Sequence, residues 1–171
     1  SKISIEPQSI DSLPINSAPI EMIGLDLWGE RITQTSEPWI DRVHAIREEL
    51  PRLMWQAAGV CREQNSLEIA INRVKFLQVE FNNLPISQLI SQLLPPQAVI
   101  LPTEISERDF CTWGETRNLL DIGLSILTGA LMRTESRGGH YRTDFPTIDP
   151  TWQVHTIVHR DRWFKSDSIK R

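Results

Sequence analysis

The stretch Arg133–Pro146 reads RTESRGGHYRTDFP. It follows an apolar helical run directly and gathers three arginines, a histidine, two carboxylates and a Gly-Gly pair. Gly138 and Gly139 stand where a left-handed cap residue is wanted, so they are expected to end the preceding helix and turn the chain sharply. Arg133, Arg137 and Arg142 each offer a planar fork of donors suited to carboxylate or phosphate partners. Glu135 and Asp144 can neutralise two of them from within. Two readings compete. In one, the arginines and His140 bind an anionic ligand. In the other, they pair with Glu135, Asp144 and acidic groups of a neighbouring domain and fix how this element docks. No nucleophile or paired base accompanies the cluster, and structural ion-pair networks are common, so the docking reading is favoured.

Upstream, the spacing predicts a long helix from about Glu107 to Glu135, with Phe110, Leu119, Ile122, Ile126 and Ala130 as core positions and Trp113 as a further candidate. Gly123, Gly129 and Ala130 leave little side chain on part of it, which favours close approach of another helix over a ligand cavity. A second helix starts at Asn65 or Ser66, with Glu68 placed for a capping box, and turns Leu67, Ala70, Ile71, Val74, Leu77 and Phe81 inward until Asn82, Asn83 and Pro85 end it. A first helix runs from Trp39 to about Ala58, carrying Ile40, Val43, Ile46, Leu50, Leu53 and Met54 on one face and stopping at Gly59. Pro51 lacks an amide hydrogen, so a kink or break is expected there.

The flanks are less regular. Residues 1–38 carry Pro7, Pro14, Pro19 and Pro38 and read as an arm or linker, with an apolar island at Ile20, Ile23, Leu25, Leu27 and Trp28 expected to dock on a neighbouring surface. The segment ISQLISQLLPPQ is a connector with a short amphipathic turn or two. After Pro150, Trp152, Val154, Thr156 and Val158 alternate with Gln153, His155, Ile157 and His159, which predicts one edge strand ahead of a frayed end. The fold class is therefore all-α, a three-helix bundle over 39–150, with an irregular arm at 1–38 and an extended tail at 151–171 holding a short strand.

Composition narrows the function. The 171 residues suit one domain; 18 basic against 22 acidic residues give a net charge of −4, which speaks against a nucleic-acid partner or a polybasic membrane patch. Cys61 and Cys111 have no CxxC or Cys/His spacing, so no disulfide framework or metal site is expected, and reduced thiols point to the cytoplasm. No apolar run nears the roughly 20 residues of a membrane span. The absence of an initial methionine reads as an excised fragment. His44, His155 and His159 lack acidic or cysteine ligands in step, so exposed or hydrogen-bonded roles are expected. No GxGxxG, P-loop or GxSxG occurs, so no nucleotide cradle or nucleophile elbow is present.

RTESRGGHYRTDFP resembles the signature near the end of the succinate dehydrogenase, fumarate reductase and L-aspartate oxidase flavoproteins. IREELPRLMWQAAGVCREQNSLEIA is similar to that family's helix pair, Glu115–Leu120 to its entry into the third helix, and Trp152 with His155-Thr156 to the residues that follow the signature. The likeness covers roughly 40–158. Asp144-Phe145-Pro146-Thr147-Ile148-Asp149 lacks the Arg-Asp-Asp of the respiratory subunits after the proline, so the L-aspartate oxidase branch is the closer likeness.

The resemblance implies a C-terminal three-helix bundle packed on FAD-binding and capping domains of the same polypeptide. It implies FAD in the parent enzyme, oxidation of L-aspartate to iminoaspartate with oxygen or fumarate as acceptor in the first step of NAD synthesis, and quinolinate synthase as a further partner. It implies no catalytic and no cofactor-binding residue within this fragment, which is expected to bind no FAD and to be inactive alone. Arg133, Glu135, Ser136, Arg137, His140, Arg142 and Asp144 are the signature positions, and of these Glu135, Ser136, Arg137, His140 and Arg142 match residues that secure the helical domain beside the other two. The alternatives are a succinate dehydrogenase or fumarate reductase flavoprotein subunit, and a stand-alone helical module whose apolar island and tryptophans bind a partner protein.

Overall fold

The computed structural model describes residues 39–92, 105–159 and 162–166. Three long helices form its body: α1 (Trp39–Ala58), α2 (Gln64–Asn82) and α4 (Glu107–Met132), with a short α3 (Pro85–Ser91) between the second and third. α4 packs on both α1 and α2, and these two pack on each other. Two small sheets complete it: a parallel pair of β1 (Cys61–Arg62) with β2 (Tyr141–Arg142), and an antiparallel hairpin of β3 (Thr156–His159) with β4 (Arg162–Lys165). The arm, its apolar island, the Pro95-Pro96 connector and the last five residues lie outside the described residues.

Helical periodicity places the core of α1 and α2 as expected. Val43, Ile46, Leu50, Leu67, Ala70, Ile71, Val74, Leu77 and Phe81 are buried, and Ile40, Leu53 and Met54 pack at their margin. At about 1.5–3 kcal/mol for each large apolar side chain withdrawn from water, this stripe supplies most of the driving force for the bundle. α1 runs unbroken through Pro51, so of the expected kink or break the break does not occur. One missing amide removes a single helical bond, while residues on both sides of the proline are held in the core. α1 stops at Ala58, and the Gly59 that follows must be glycine: a Cβ there would lie 2.3 Å from the Trp55 carbonyl oxygen.

α4 departs from its expected face. Trp113, Thr116, Leu120, Gly123, Leu127 and Ala130 point inward and Phe110 is partly buried, whereas Leu119, Ile122 and Ile126 are exposed. This helix is apolar on more than one side, so spacing alone does not single out the buried stripe. Gly123 marks the close approach to α1, where an added Cβ would meet Met54 Sδ at 3.4 Å and Leu50 Cδ1 at 3.5 Å. At the other end Ser106 caps the helix by accepting from the Asp109 amide (3.1 Å). Trp113 stacks with Phe81 and Phe110 and donates its indole N–H to Ser87 Oγ (2.8 Å), which ties α3 to the core.

The tail is a hairpin, not a lone strand. Trp152 sits in a 3-10 turn (Pro150–Trp152), and the extended segment starts at Thr156 opposite Lys165.

Candidate functional site

α4 ends at Met132, three residues earlier than expected, because the segment that follows is committed to a polar network. Arg133 leaves helical geometry (ψ 104°), and its guanidinium bonds Glu135 (2.9 Å) and the carbonyls of Trp152 (3.0 Å) and Val154 (3.3 Å) while lying over the Trp152 ring. Trp152 in turn donates its indole N–H to Thr134 Oγ1 (3.0 Å). The start of the tail is thus bound to the end of α4.

Glu135 is fully buried and accepts from Arg133, from Arg137 Nε and Nη2 (2.8 and 3.1 Å), and from the Asp149 amide (2.9 Å). The Arg137 hydrogen bonds, together with the Asp149 amide and the two positive charges, hold its carboxyl below the usual range despite burial. Ser136 Oγ donates to the Phe145 carbonyl (2.8 Å) and accepts from the Arg142 amide (2.9 Å), which pins the two limbs of the loop.

Arg142 is 1% exposed. Its Nη1 donates to the carbonyls of Ala130 (2.9 Å), Leu131 (3.1 Å) and Arg133 (3.3 Å), the groups left without partners at the α4 C-terminus. Its other face makes a bidentate pair with Asp144 (2.7 and 2.6 Å). Asp144 Oδ2 also accepts the Gln64 amide (3.0 Å) at the start of α2. One guanidinium–carboxylate pair therefore joins the negative end of α4 to the positive end of α2, and the Arg142 contacts lower the Asp144 pKa to about 2. It also replaces the expected capping box: Glu63 is the N-cap residue of α2 with no side-chain cap bond, and Glu68 bonds Gln64 Nε2 instead.

The glycines do not cap α4. They form a two-residue turn closed by Arg137 N–H to His140 C=O (2.8 Å) and His140 N–H to Arg137 C=O (3.0 Å), with Gly138 at φ +58°. Glycine is required at that first central position. His140 donates from Nε2 to the Arg133 carbonyl (3.2 Å), so the proton resides on that nitrogen. Burial, with Arg62, Arg133 and Arg142 nearby, keeps the imidazole below its ordinary pKa and neutral at pH 7.

All seven signature residues named from sequence converge here. Each of the three signature arginines already has an internal carboxylate, which is the internal half of the docking reading and leaves none of them as a bare anion receptor. Sequence reasoning missed Arg62, whose Nε donates to the α1 carbonyl of Ala58 (3.2 Å) and whose Nη1 donates to the Gly139 carbonyl (3.0 Å). Its part depends on the parallel β1–β2 pairing of segments 80 residues apart, for which a two-residue strand gives no local signal. Among the described residues no group of three or more His, Cys, Asp or Glu is placed to hold a metal, and no helix is long and apolar enough to cross a membrane.

A family described as the fumarate reductase flavoprotein C-terminal region matches residues 99–170, which include the whole signature. An L-aspartate oxidase of Nostoc sp. is 46% identical over 125 residues, covering 73% of this chain and 22% of that protein. An L-aspartate oxidase of Synechocystis sp. is 44% identical over 122 residues (71% and 22%), and a fumarate reductase flavoprotein subunit of Mycobacterium tuberculosis is 30% identical over 122 residues (71% and 19%). A point variant of E. coli quinol fumarate reductase shares the fold with a TM-score of 0.55 at 22% identity, over 81% of this chain and 22% of that one. The chain spans about a fifth of the length of the curated relatives it matches. On this evidence it belongs to the fumarate reductase flavoprotein family, as its C-terminal helical domain.

Proposed function

We propose that this chain serves as the C-terminal helical domain of an FAD-dependent L-aspartate oxidase, which oxidises L-aspartate to iminoaspartate with oxygen or fumarate as acceptor at the start of NAD synthesis. The observation that carries the reading is the 46% and 44% identity to two L-aspartate oxidases over most of this chain. Flavin and substrate are assigned to polypeptide outside it. The described residues do not fit a dinucleotide: the Gly138–Gly139 turn follows a helix and closes on itself, and no glycine turn links a strand to a helix N-terminus. What this chain contributes is shape. The signature, rigid through Glu135, Ser136 and the Arg142–Asp144 pair, presents one face of the bundle to FAD-binding and capping domains. Quinolinate synthase, as consumer of the product, is a partner of the assembled enzyme.

Purified alone, the chain should show no flavin absorbance and no aspartate-dependent peroxide; joined to the flavoprotein polypeptide it should show both. A yellow, active 171-residue protein would overturn the assignment of chemistry to the other domains. The 30% identity to a fumarate reductase subunit supports a second reading, a respiratory flavoprotein. Turnover of succinate in preference to L-aspartate by the joined enzyme would select it.

A further inference from the structure

Among the described residues, the Arg137–His140 turn is held at its base and open at its two glycines. Its two backbone bonds and the Arg62 bond to the Gly139 carbonyl fix its position, yet a Cβ added at Gly138 or Gly139 would meet nothing within 4 Å. Neither glycine amide has an acceptor among the described residues. Arg62 also differs from the three signature arginines. They contact Glu135 or Asp144, whereas Arg62 bonds two carbonyls and has no carboxylate partner among the described residues. Its charge is therefore uncompensated at the edge of the turn.

We infer that the Gly138–Gly139 amides and the Arg62 guanidinium form a binding site for a single carboxylate. Fixed backbone amides in a turn form a concavity that favours an anion, and a guanidinium alongside supplies a charge-assisted bond. One uncompensated guanidinium balances a singly charged carboxylate, whereas a phosphate dianion needs a second free cation. The open space above Gly139 is the room the ligand requires. Only the origin of the carboxylate, an Asp or Glu side chain of the remaining flavoprotein polypeptide, rests on the function proposed above; the binding is a property of this chain and is measured on it.

The test is amide NMR of the 171-residue protein during titration with sodium acetate, with the peptide N-acetyl-Gly-Glu-Gly-amide and with inorganic phosphate, each against sodium chloride at equal ionic strength. Gly138 and Gly139 resonances should move saturably with acetate and the peptide, and not with the Gln version of the peptide. Arg62→Gln should weaken binding roughly tenfold, the scale of one lost charge-assisted bond. Because Arg62 also holds the turn, Gly139→Ala is the companion variant. Its methyl meets no atom of the described residues within 4 Å, so the other resonances should stay in place while carboxylate binding falls. No movement beyond chloride, or binding indifferent to both variants, overturns the site. Tighter binding of phosphate overturns the carboxylate assignment, and binding of acetate without the peptide overturns a side-chain source.

Discussion

Leu67 and Val74 in the bundle and Glu135 and Arg142 in the signature are almost equally withdrawn from water, at 0, 0, 0 and 1% exposure. The physics that permits this differs. An apolar side chain is buried by any neighbour of the right shape, so its burial follows from spacing along one helix. A buried carboxylate or guanidinium demands a complete set of partners. Those of Glu135 and Arg142 come from the end of α4, from the signature itself and from the Asp149 amide, while Asp144 reaches on to the start of α2. The bundle core tolerates approximation. The signature does not, because losing one member leaves another buried and unpaired.

The contrast is sharpest at Glu135. Glu135→Ala removes the carboxylate shared by two arginines, which keep only carbonyl partners, leaves the Asp149 amide without its acceptor, and should lower unfolding stability by about 3 kcal/mol in urea denaturation. A loss below about 1 kcal/mol would show that the network is not what holds the segment. Leu77→Ala in the apolar core should cost about 3 kcal/mol, within the range for a buried leucine, and the loss should not depend on salt. The Arg142–Asp144 link should titrate. Its carboxyl is held at about 2 against an ordinary 3.8, so the stabilisation is present above pH 4 and lost as pH falls toward 2. Asp144→Asn should therefore cost about 1 kcal/mol at pH 7, allowing for partial exposure, and should flatten the acid limb of a stability–pH curve between pH 4 and 2. His140 adds a milder slope at higher pH. With its folded pKa depressed below 6.5, the unfolded chain takes up a proton first, so stability declines as pH falls from 6.5. An NMR titration of the imidazole with a midpoint at or above 6.5 would contradict this. Smallest of all, Ile122→Ser on the exposed face of α4 should stay within about 0.5 kcal/mol in the isolated chain.

The errors of sequence reading fall where this contrast places them. In α1 and α2 the apolar spacing picked out the buried stripe, although Trp39 and Ala57 were not foreseen and Ile69, Phe76 and Val79 of α2 lie exposed outside it. α4 has apolar residues on more than one side, and Leu119, Ile122 and Ile126 were assigned inward although they lie exposed. Pro51 was expected to kink or break α1; it does not break it, because the core contacts of Leu50 and Ala57 outweigh one lost bond. The seven signature residues were recognised as a unit, and the pairing of their charges with Glu135 and Asp144 was anticipated. The use of Gly138 was not, since a helix cap and a two-residue turn both ask for a left-handed residue.

By itself the sequence determined three long helices, the stop of the first at Gly59, and a charged segment too dense to be an ordinary helix exit. These depend on periodicity and local sterics, which act between residues a few positions apart. The tertiary structure alone decided which side of α4 is buried, that Asp144 starts α2 in place of Glu68, and that Arg62 supports a turn 77 residues away. The first depends on how α4 packs against α1 and α2, and the other two on a polar group finding a distant partner; contacts between remote segments leave no periodic trace in the chain.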